Sequence, residues 1–199
     1  SPHHITFQET RLDASTAALA EGAPAVCAFA NDDVGADTIA ALAEVSVKLI
    51  ALRCAGFNQV DLEAAAKHDI AVARVPAYSP HAVAEHAVAL LMTLVRHTHR
   101  AFNRVREHNF ALDGLMGFDL HGKTVGIIGA GTIGICFVII MKGFGCRVLA
   151  FDPYPNDELK SSGAELVDLD TLLAESDVIS LHCPLNPDPP HLIHADALA

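Results

Sequence analysis

The chain has 199 residues, of which 51% are hydrophobic and 19% are charged. This length suits one large or two small domains, and the apolar content is sufficient for a core. The net charge of −11 argues against nucleic acid and against anionic membrane surfaces as partners. No signal peptide and no apolar stretch of membrane-spanning length is visible, so we expect a cytoplasmic protein without a membrane segment.

Neither the cysteines nor the histidines are spaced as metal ligands. The five cysteines are scattered without a C-x-x-C pair, which predicts reduced, buried thiols. The twelve histidines include no H-E-x-x-H and no zinc-type cluster, so no metal is expected. The cysteines are Cys27, Cys54, Cys136, Cys146 and Cys183.

Residues 1–77 alternate between short apolar runs and helical patterns, which predicts βαβ units and a parallel sheet. The predicted strands are residues 4–7, 25–30, 48–52 and 70–75, and the predicted helices are residues 15–21, 36–44 and 59–67. Ligands of such sheets bind at the carboxyl ends of the strands. Ala55 and Gly56 follow one strand end and Tyr78 another. The residues alone favour an ordinary turn for the first loop and a packed surface aromatic for Tyr78.

A long helix is predicted to begin at Pro80, with Ser79 as its N-cap, and to continue to about Arg96. An apolar stripe runs along it, so we expect the helix to serve domain packing and a subunit interface. The stripe consists of Val83, Ala87, Leu90, Leu91, Leu94 and Val95.

The clearest motif is G-x-G-x-x-G, formed by Gly129, Gly131 and Gly134 between a buried-strand run and an apolar helix. In a dinucleotide site these glycines allow a tight turn, close approach of a pyrophosphate and close helix packing. The pyrophosphate then lies at the helix N-terminus. Asp152 ends the next strand, 18 residues after Gly134, where an acid that binds the ribose hydroxyls is expected. The alternative is a glycine-rich turn followed by a chance aspartate.

The remaining segments continue the alternation of strands and helices. We predict a strand at residues 164–167, a helix at 168–176 and a strand at 177–182. The proline-rich residues 183–190 cannot form a helix or a central strand.

Three motifs, in this order, resemble the D-isomer specific 2-hydroxyacid dehydrogenases, and most closely the bacterial D-lactate dehydrogenases. They are residues 78–86, the glycine loop with Asp152 and Pro153, and residues 172–184. The resemblance implies an α/β protein with two Rossmann-like or flavodoxin-like lobes, parallel sheets and an active site in the cleft. Residues 1–77 would be the substrate lobe, lacking its first strand. Residues 78–199 would be the first part of an incomplete NAD-binding Rossmann lobe, and the helix after Ser79 would help form a homodimer.

The same resemblance assigns site residues. Ala55 and Gly56 match the loop that binds the substrate carboxylate, and Tyr78 matches the substrate side of the cleft. The cofactor-binding positions are Gly129, Gly131, Thr132, Ile133 and Gly134 for the pyrophosphate, Asp152 and Pro153 at the ribose, and Cys183 and Pro184 along the cofactor. Thr132, Pro189, Pro190 and His194 depart from the residues usual in the family.

The implied activity is hydride transfer between NAD and a small 2-keto or 2-hydroxy acid, with a pyruvate-like keto acid reduced to the D-2-hydroxy acid. The family's catalytic Arg, Glu and His have no counterpart here, so we expect no catalytic residue in this chain and an inactive fragment. Two alternatives remain open: an NADH-sensing binding protein of the corepressor type, and a structural remnant whose glycine loop serves folding alone.

Overall fold

The computed structural model describes residues 4–184 and 192–198. The chain divides into two compact units, Ser1–Tyr78 and Ser79–Ala199. Each unit contains one parallel sheet with helices, so the predicted α/β class is confirmed.

The first unit has the strand order β1-β2-β3 with parallel pairing throughout. Its core is formed by fully buried side chains such as Ile39, Leu42 and Ile50. The predicted helix at residues 36–44 is confirmed, and the carboxylate of Asp61 caps the second helix by accepting from the Ala64 amide at 2.9 Å. The elements are β1 (Ala25–Ala28), α1 (Ala36–Glu44), β2 (Leu49–Leu52), α2 (Leu62–Lys67) and β3 (Ala71–Arg74).

Two sequence predictions fail in this unit. Residues 4–7 form no strand, and Ile5 and Phe7 are exposed. Their alternating pattern lacks a neighbouring strand, and a strand is stabilised mainly by its cross-strand neighbours. Residues 15–21 contain a single 3-10 turn, Ala17–Ala20, instead of a helix. The Asp13 carboxylate accepts from the Ser15 amide at 2.9 Å, which caps a single turn, and the left-handed Gly22, with a φ of +81°, follows it.

The second unit has the strand order β6-β5-β4-β7, again parallel. Central strand β4 is flanked by β5 and β7, so their carboxyl ends meet at one edge of the sheet. A 3-10 turn, Ala195–Leu198, follows later in the chain. The other elements are α3 (Pro80–Arg96), α4 (Thr98–Arg106), β4 (Thr124–Ile128), α5 (Thr132–Gly143), β5 (Arg147–Phe151), α6 (Asp157–Ser161), β6 (Glu165–Leu166), α7 (Leu169–Glu175) and β7 (Val178–Leu181).

Helix α3 begins at Pro80, as predicted, but the Ser79 side chain makes no capping bond within the described residues. It ends at Arg96, and the next residue, His97, has a left-handed φ of +51° that turns the chain into α4. The predicted apolar stripe is only partly buried. Val95 is buried in the core that includes α5, whereas Leu94 is exposed. The apolar periodicity predicted the helix, but it did not predict which apolar side chains pack against other residues of this chain.

Helix α5 supplies much of the core of the second unit. Phe137, Val138 and Met141 are almost completely buried there. On the other face of the sheet, a Cβ at Gly126 would collide with the Ser176 hydroxyl and the Leu172 side chain. Strand β4 therefore requires glycine where α7 packs directly against it.

At the amino end of β5, Arg147 connects three elements. Its guanidinium contacts Glu165 of β6 at 2.7 Å and also bonds Glu175 of α7 at 2.6 Å. The hydrogen bond from Arg147 lowers the pKa of Glu165. This exposed cluster lies at the end of the sheet opposite the glycine loop.

All five cysteines lie within the described residues and none is in a disulfide. Cys54, Cys136 and Cys146 are buried as predicted, but Cys27 is exposed and Cys183 is half-buried, so uniform burial was wrong. In residues 4–184 and 192–198, no His, Cys, Asp and Glu cluster could hold a metal ion. Among the helices of those residues, none has the length and apolarity needed to cross a bilayer.

Candidate cofactor and anion sites

The glycine loop leaves β4 and enters α5 between the ends of two neighbouring strands. Gly129 has a φ of +87°, and a Cβ there would lie 2.7 Å from the backbone nitrogen of Cys183. A Cβ at Gly134 would overlap the carbonyl oxygen of Gly129. The Gly129 amide donates to the Phe151 carbonyl at 2.9 Å. Two glycines are therefore required for the loop to lie against both neighbouring strand ends.

The start of α5 is open. A Cβ at Gly131 would meet nothing within 4 Å. The amides of Gly131, Thr132 and Ile133 form no hydrogen bond with any residue that the structure describes. Unpaired amides at the positive end of a 12-residue helix attract anions. This surface can hold a phosphate group.

Asp152 lies directly after β5 and faces the glycine loop. One carboxylate oxygen accepts from the Ala130 amide at 2.7 Å, and the other accepts from the Tyr154 amide at 2.8 Å. These bonds hold the carboxylate in one orientation and leave lone pairs free for hydroxyl donors. Asp152 also lines a cavity of about 500 Å³ at the ends of β5 and β6. The other lining residues are Phe151, Pro155, Leu166, Val167, Asp168 and Thr171.

The end of β7 supports the loop from the other side. The His182 amide donates to the Ile128 carbonyl at 2.8 Å. The half-buried His182 ring lies 4.8 Å from the Phe137 ring, and its Nε2 is 3.0 Å from the Ser180 hydroxyl. Burial lowers the pKa of His182. The His182 ring thus packs between strand β7 and helix α5.

In the first unit, the loop after β2, residues 53–58, has a second set of open amides. The carbonyl groups of three successive residues accept hydrogen bonds. Cys54 accepts from the Val75 amide at 3.3 Å, Ala55 from the Arg74 guanidinium at 2.9 Å, and Gly56 from the Cys54 thiol at 3.3 Å. The amides of Ala55 and Gly56 make no hydrogen bond among the residues described. This β2 loop can therefore bind a small anion such as a carboxylate.

Comparison with known proteins identifies the family. Residues 88–199 match the family model described as "D-isomer specific 2-hydroxyacid dehydrogenase, NAD binding domain". This match covers more than half of the chain. The chain belongs to this dehydrogenase family.

Individual members are similar along almost the whole chain. The 2-hydroxyacid dehydrogenase homolog 1 of Schizosaccharomyces pombe is 54% identical over 99% of this chain and 60% of that protein. The apo-structure of D-lactate dehydrogenase from Escherichia coli is 54% identical, with a TM-score of 0.89 over 96% of this chain and 60% of that one. D-lactate dehydrogenase from Aquifex aeolicus, solved with NAD and lactic acid, is 35% identical, with a TM-score of 0.77 over 91% of this chain and 54% of that one. The chain thus spans little more than half of the length of these dehydrogenases.

The second unit is chemically suited to NAD, the cofactor in the name of the family's domain. The missing Cβ at Gly131 leaves space for a diphosphate to reach the amides that open α5. Asp152 offers acceptors for hydroxyl groups beside that space.

The predicted site residues do not all lie equally close to the glycine loop. Gly129, Gly131, Gly134, Asp152 and Cys183 meet at the carboxyl edge of the sheet.

The other predicted residues differ in exposure or lie in the first unit. Thr132, Pro153 and Pro184 are exposed, and Ile133 is half-buried. Ala55 and Gly56 are adjacent in the β2 loop, and Tyr78 is exposed at the end of the first unit. Of the residues that depart from the family, Pro189 and Pro190 lie outside the described residues. Sequence reasoning missed Arg74 and His182, although a charged residue ending a strand and a histidine beside the Cys-Pro pair were visible signals.

His182 gives the second unit a dependence on pH. In the unfolded chain its pKa is about 6.5, whereas burial lowers the pKa in the folded state. The unfolded state therefore binds more protons between these two values, so stability falls as the pH decreases below about 6.5. We expect His182→Gln to flatten the decrease in urea-unfolding free energy as the pH falls below about 6.5. Identical slopes in variant and wild type would contradict this role.

Proposed function

We propose that this chain is the cofactor-binding and substrate-binding part of an NAD-dependent oxidoreductase that reduces a small, pyruvate-like 2-keto acid to the D-2-hydroxy acid. The observation that carries the proposal is the set of open amides at the start of α5 beside the fixed carboxylate of Asp152. Family membership supports it, as does a similar structure solved with NAD and lactic acid. The activity is proposed for the whole protein, because the chain spans about 60% of its relatives.

The second unit, residues 79–199, is proposed to hold NAD. The amides of Gly131, Thr132 and Ile133 bind the diphosphate, and the glycines at 129 and 134 keep the loop in place for it. Asp152 accepts from the adenosine ribose, with Pro153 beside it, and Cys183 and Pro184 follow the cofactor. When bound, the nicotinamide exchanges the hydride with the substrate carbon.

The first unit, residues 1–78, is proposed to hold the keto acid. The amides of Ala55 and Gly56 bind its carboxylate, which fixes the orientation of the neighbouring carbonyl carbon. Tyr78 is assigned to the substrate side. We place the activity in the cytoplasm, because five cysteines without a disulfide fit a reducing compartment.

The same proposal includes a homodimer formed through the second unit. Apolar side chains are exposed along α3, along α4 and in the loop that follows, which is typical of an interaction surface. A second copy is the proposed partner because the family resemblance assigns this helix to a dimer. The exposed side chains are Leu90, Leu94, Phe102, Val105, Phe110, Leu112 and Met116.

Gly131→Ala tests the diphosphate site. The added methyl group meets no protein atom within 4 Å, so the fold is retained, but it occupies the space the diphosphate needs. We expect the Kd for NADH, measured by fluorescence, to rise by at least about tenfold, a loss of about 1.4 kcal/mol.

Gly143→Ala is the matched control, since it also adds a methyl group to open space in α5 but far from the loop. It should leave the Kd for NADH unchanged. Equal NADH binding by wild type and Gly131→Ala would contradict the proposed site.

Asp152 is expected to select NAD over NADP. Its carboxylate repels the 2′-phosphate of NADP, and the sequence has no Arg or Lys between Pro153 and Asp157 to neutralise it. Asp152→Ser should lower the ratio of the NADPH Kd to the NADH Kd by about tenfold. Asp152→Asn, which keeps an oxygen to accept from the Ala130 amide, separates the effect of charge from that of the hydrogen bond. An unchanged ratio in both variants would refute the assignment.

Leu94→Glu tests the dimer. Leu94 is 66% exposed, and a carboxylate there would be buried without a partner in the proposed interface. We expect wild-type dimers and a monomeric variant in sedimentation velocity at micromolar concentration. Ile139→Glu is the control, because Ile139 of α5 is similarly exposed at 58% and should leave the dimer intact. A monomeric wild type would rule out this interface.

A further inference from the structure

The orientation of two peptide groups decides whether the β2 loop can bind an anion. In a trans peptide the C=O and the following N–H point in opposite directions. The Val75 amide binds the Cys54 carbonyl, so the Ala55 N–H must point away from the end of β3. The Arg74 guanidinium binds the Ala55 carbonyl at 2.9 Å, so the Gly56 N–H points away from it as well. Both open amides depend on bonds made by two consecutive residues at the end of β3.

The peptide between Ala55 and Gly56 is the one that needs support. Gly56 has no Cβ and its surroundings are open, with no atom within 4 Å of a Cβ built there. Glycine accepts φ values of either sign, so this peptide can rotate at little cost unless its carbonyl is held. The bond from Arg74 is the one hydrogen bond to the Ala55 carbonyl among the described residues.

Arg74 is itself held in position. Its guanidinium lies 5.2 Å from the centre of the Phe57 ring, within the range of a cation–π interaction. One side chain thus contacts the backbone of Ala55 and the aromatic ring two residues later. Arg53 lies at the start of the same loop, but its guanidinium packs on Phe29 at 4.4 Å instead. The two arginines carry the same charge near the same loop, and Arg74 alone bonds its backbone in the described part of the chain.

We propose that Arg74 is a positioning residue for the substrate carboxylate: it fixes the peptide between Ala55 and Gly56 so that the Gly56 N–H stays available to the anion. This inference rests on the proposed function, because it assigns the anion of the β2 loop to the keto acid. Arg74 need not touch the substrate, and its effect passes through the backbone.

The test compares Arg74→Met with Arg53→Met in the full chain. Both variants remove one positive charge and keep an apolar side chain, but only the first removes the bond to the Ala55 carbonyl. Pyruvate is titrated while the amide signals of Ala55 and Gly56 are followed by NMR. We expect Arg74→Met to raise the pyruvate Kd by about tenfold and Arg53→Met by less than about twofold. Arg74→Lys, which keeps a donor, should restore binding to within about threefold.

Two further readouts keep the possible failures distinct. NADH binding and the unfolding temperature should be the same in all variants, since Arg74 lies in the first unit and is exposed. Equal losses in Arg74→Met and Arg53→Met would show a general effect of charge and overturn the positioning role. Wild-type amides that do not respond to pyruvate would overturn the substrate assignment of the β2 loop together with this inference, while NADH binding would still test the cofactor site.

Discussion

The contact that governs the second unit is the one between backbone and backbone at the glycine loop. Gly134 lies so close to the Gly129 carbonyl, and Gly129 so close to Cys183, that neither position can carry a Cβ. This close packing places the end of β4 beside the ends of β5 and β7. The Ala130 amide then reaches Asp152, and the first amides of α5 remain unpaired. A single methyl group at either glycine would push apart the ends of β4, β5 and β7.

Both units present unpaired backbone amides, but for different structural reasons. In the second unit, unpaired amides arise from the geometry of a helix start, which every helix has. In the β2 loop they arise because three carbonyls are bound by neighbouring groups. The unpaired amides at the start of α5 are therefore a property of the helix itself. The open amides of the β2 loop depend in part on the Arg74 side chain from β3 and are therefore more sensitive to substitution.

An element could be predicted where a local sequence pattern determines it, and could not where contacts with distant segments do. The glycine spacing, the strand before it and Asp152 are local signals, and the structure brings them together as the motif implies. Helix α1 and the start of α3 also follow from local periodicity and from Pro80. The failure at residues 4–7 and the unpredicted division of α3 into buried and exposed apolar positions have one cause. A pattern of apolar residues does not reveal whether another segment covers them.

The β2 loop shows the same limit at the level of a site. Ala55 and Gly56 alone were compatible with an ordinary turn, and only the family resemblance suggested an anion site. The decisive contact comes from Arg74, 19 residues later in the chain. The surroundings of His182 were equally unpredictable, because its ring packs against Phe137 of α5, 45 residues earlier in the chain. Periodicity cannot encode such long-range pairings.

Strand β6 has a consequence for how the protein behaves in concentrated solution. It contains only Glu165 and Leu166, and it forms one edge of the sheet. Exposed sheet edges invite pairing with strands of other molecules, and short strands carrying charge resist it. With Glu165 held by Arg147, this edge offers an incoming chain almost no backbone to extend. The sheet of the second unit is thus protected against edge-to-edge aggregation at its β6 edge.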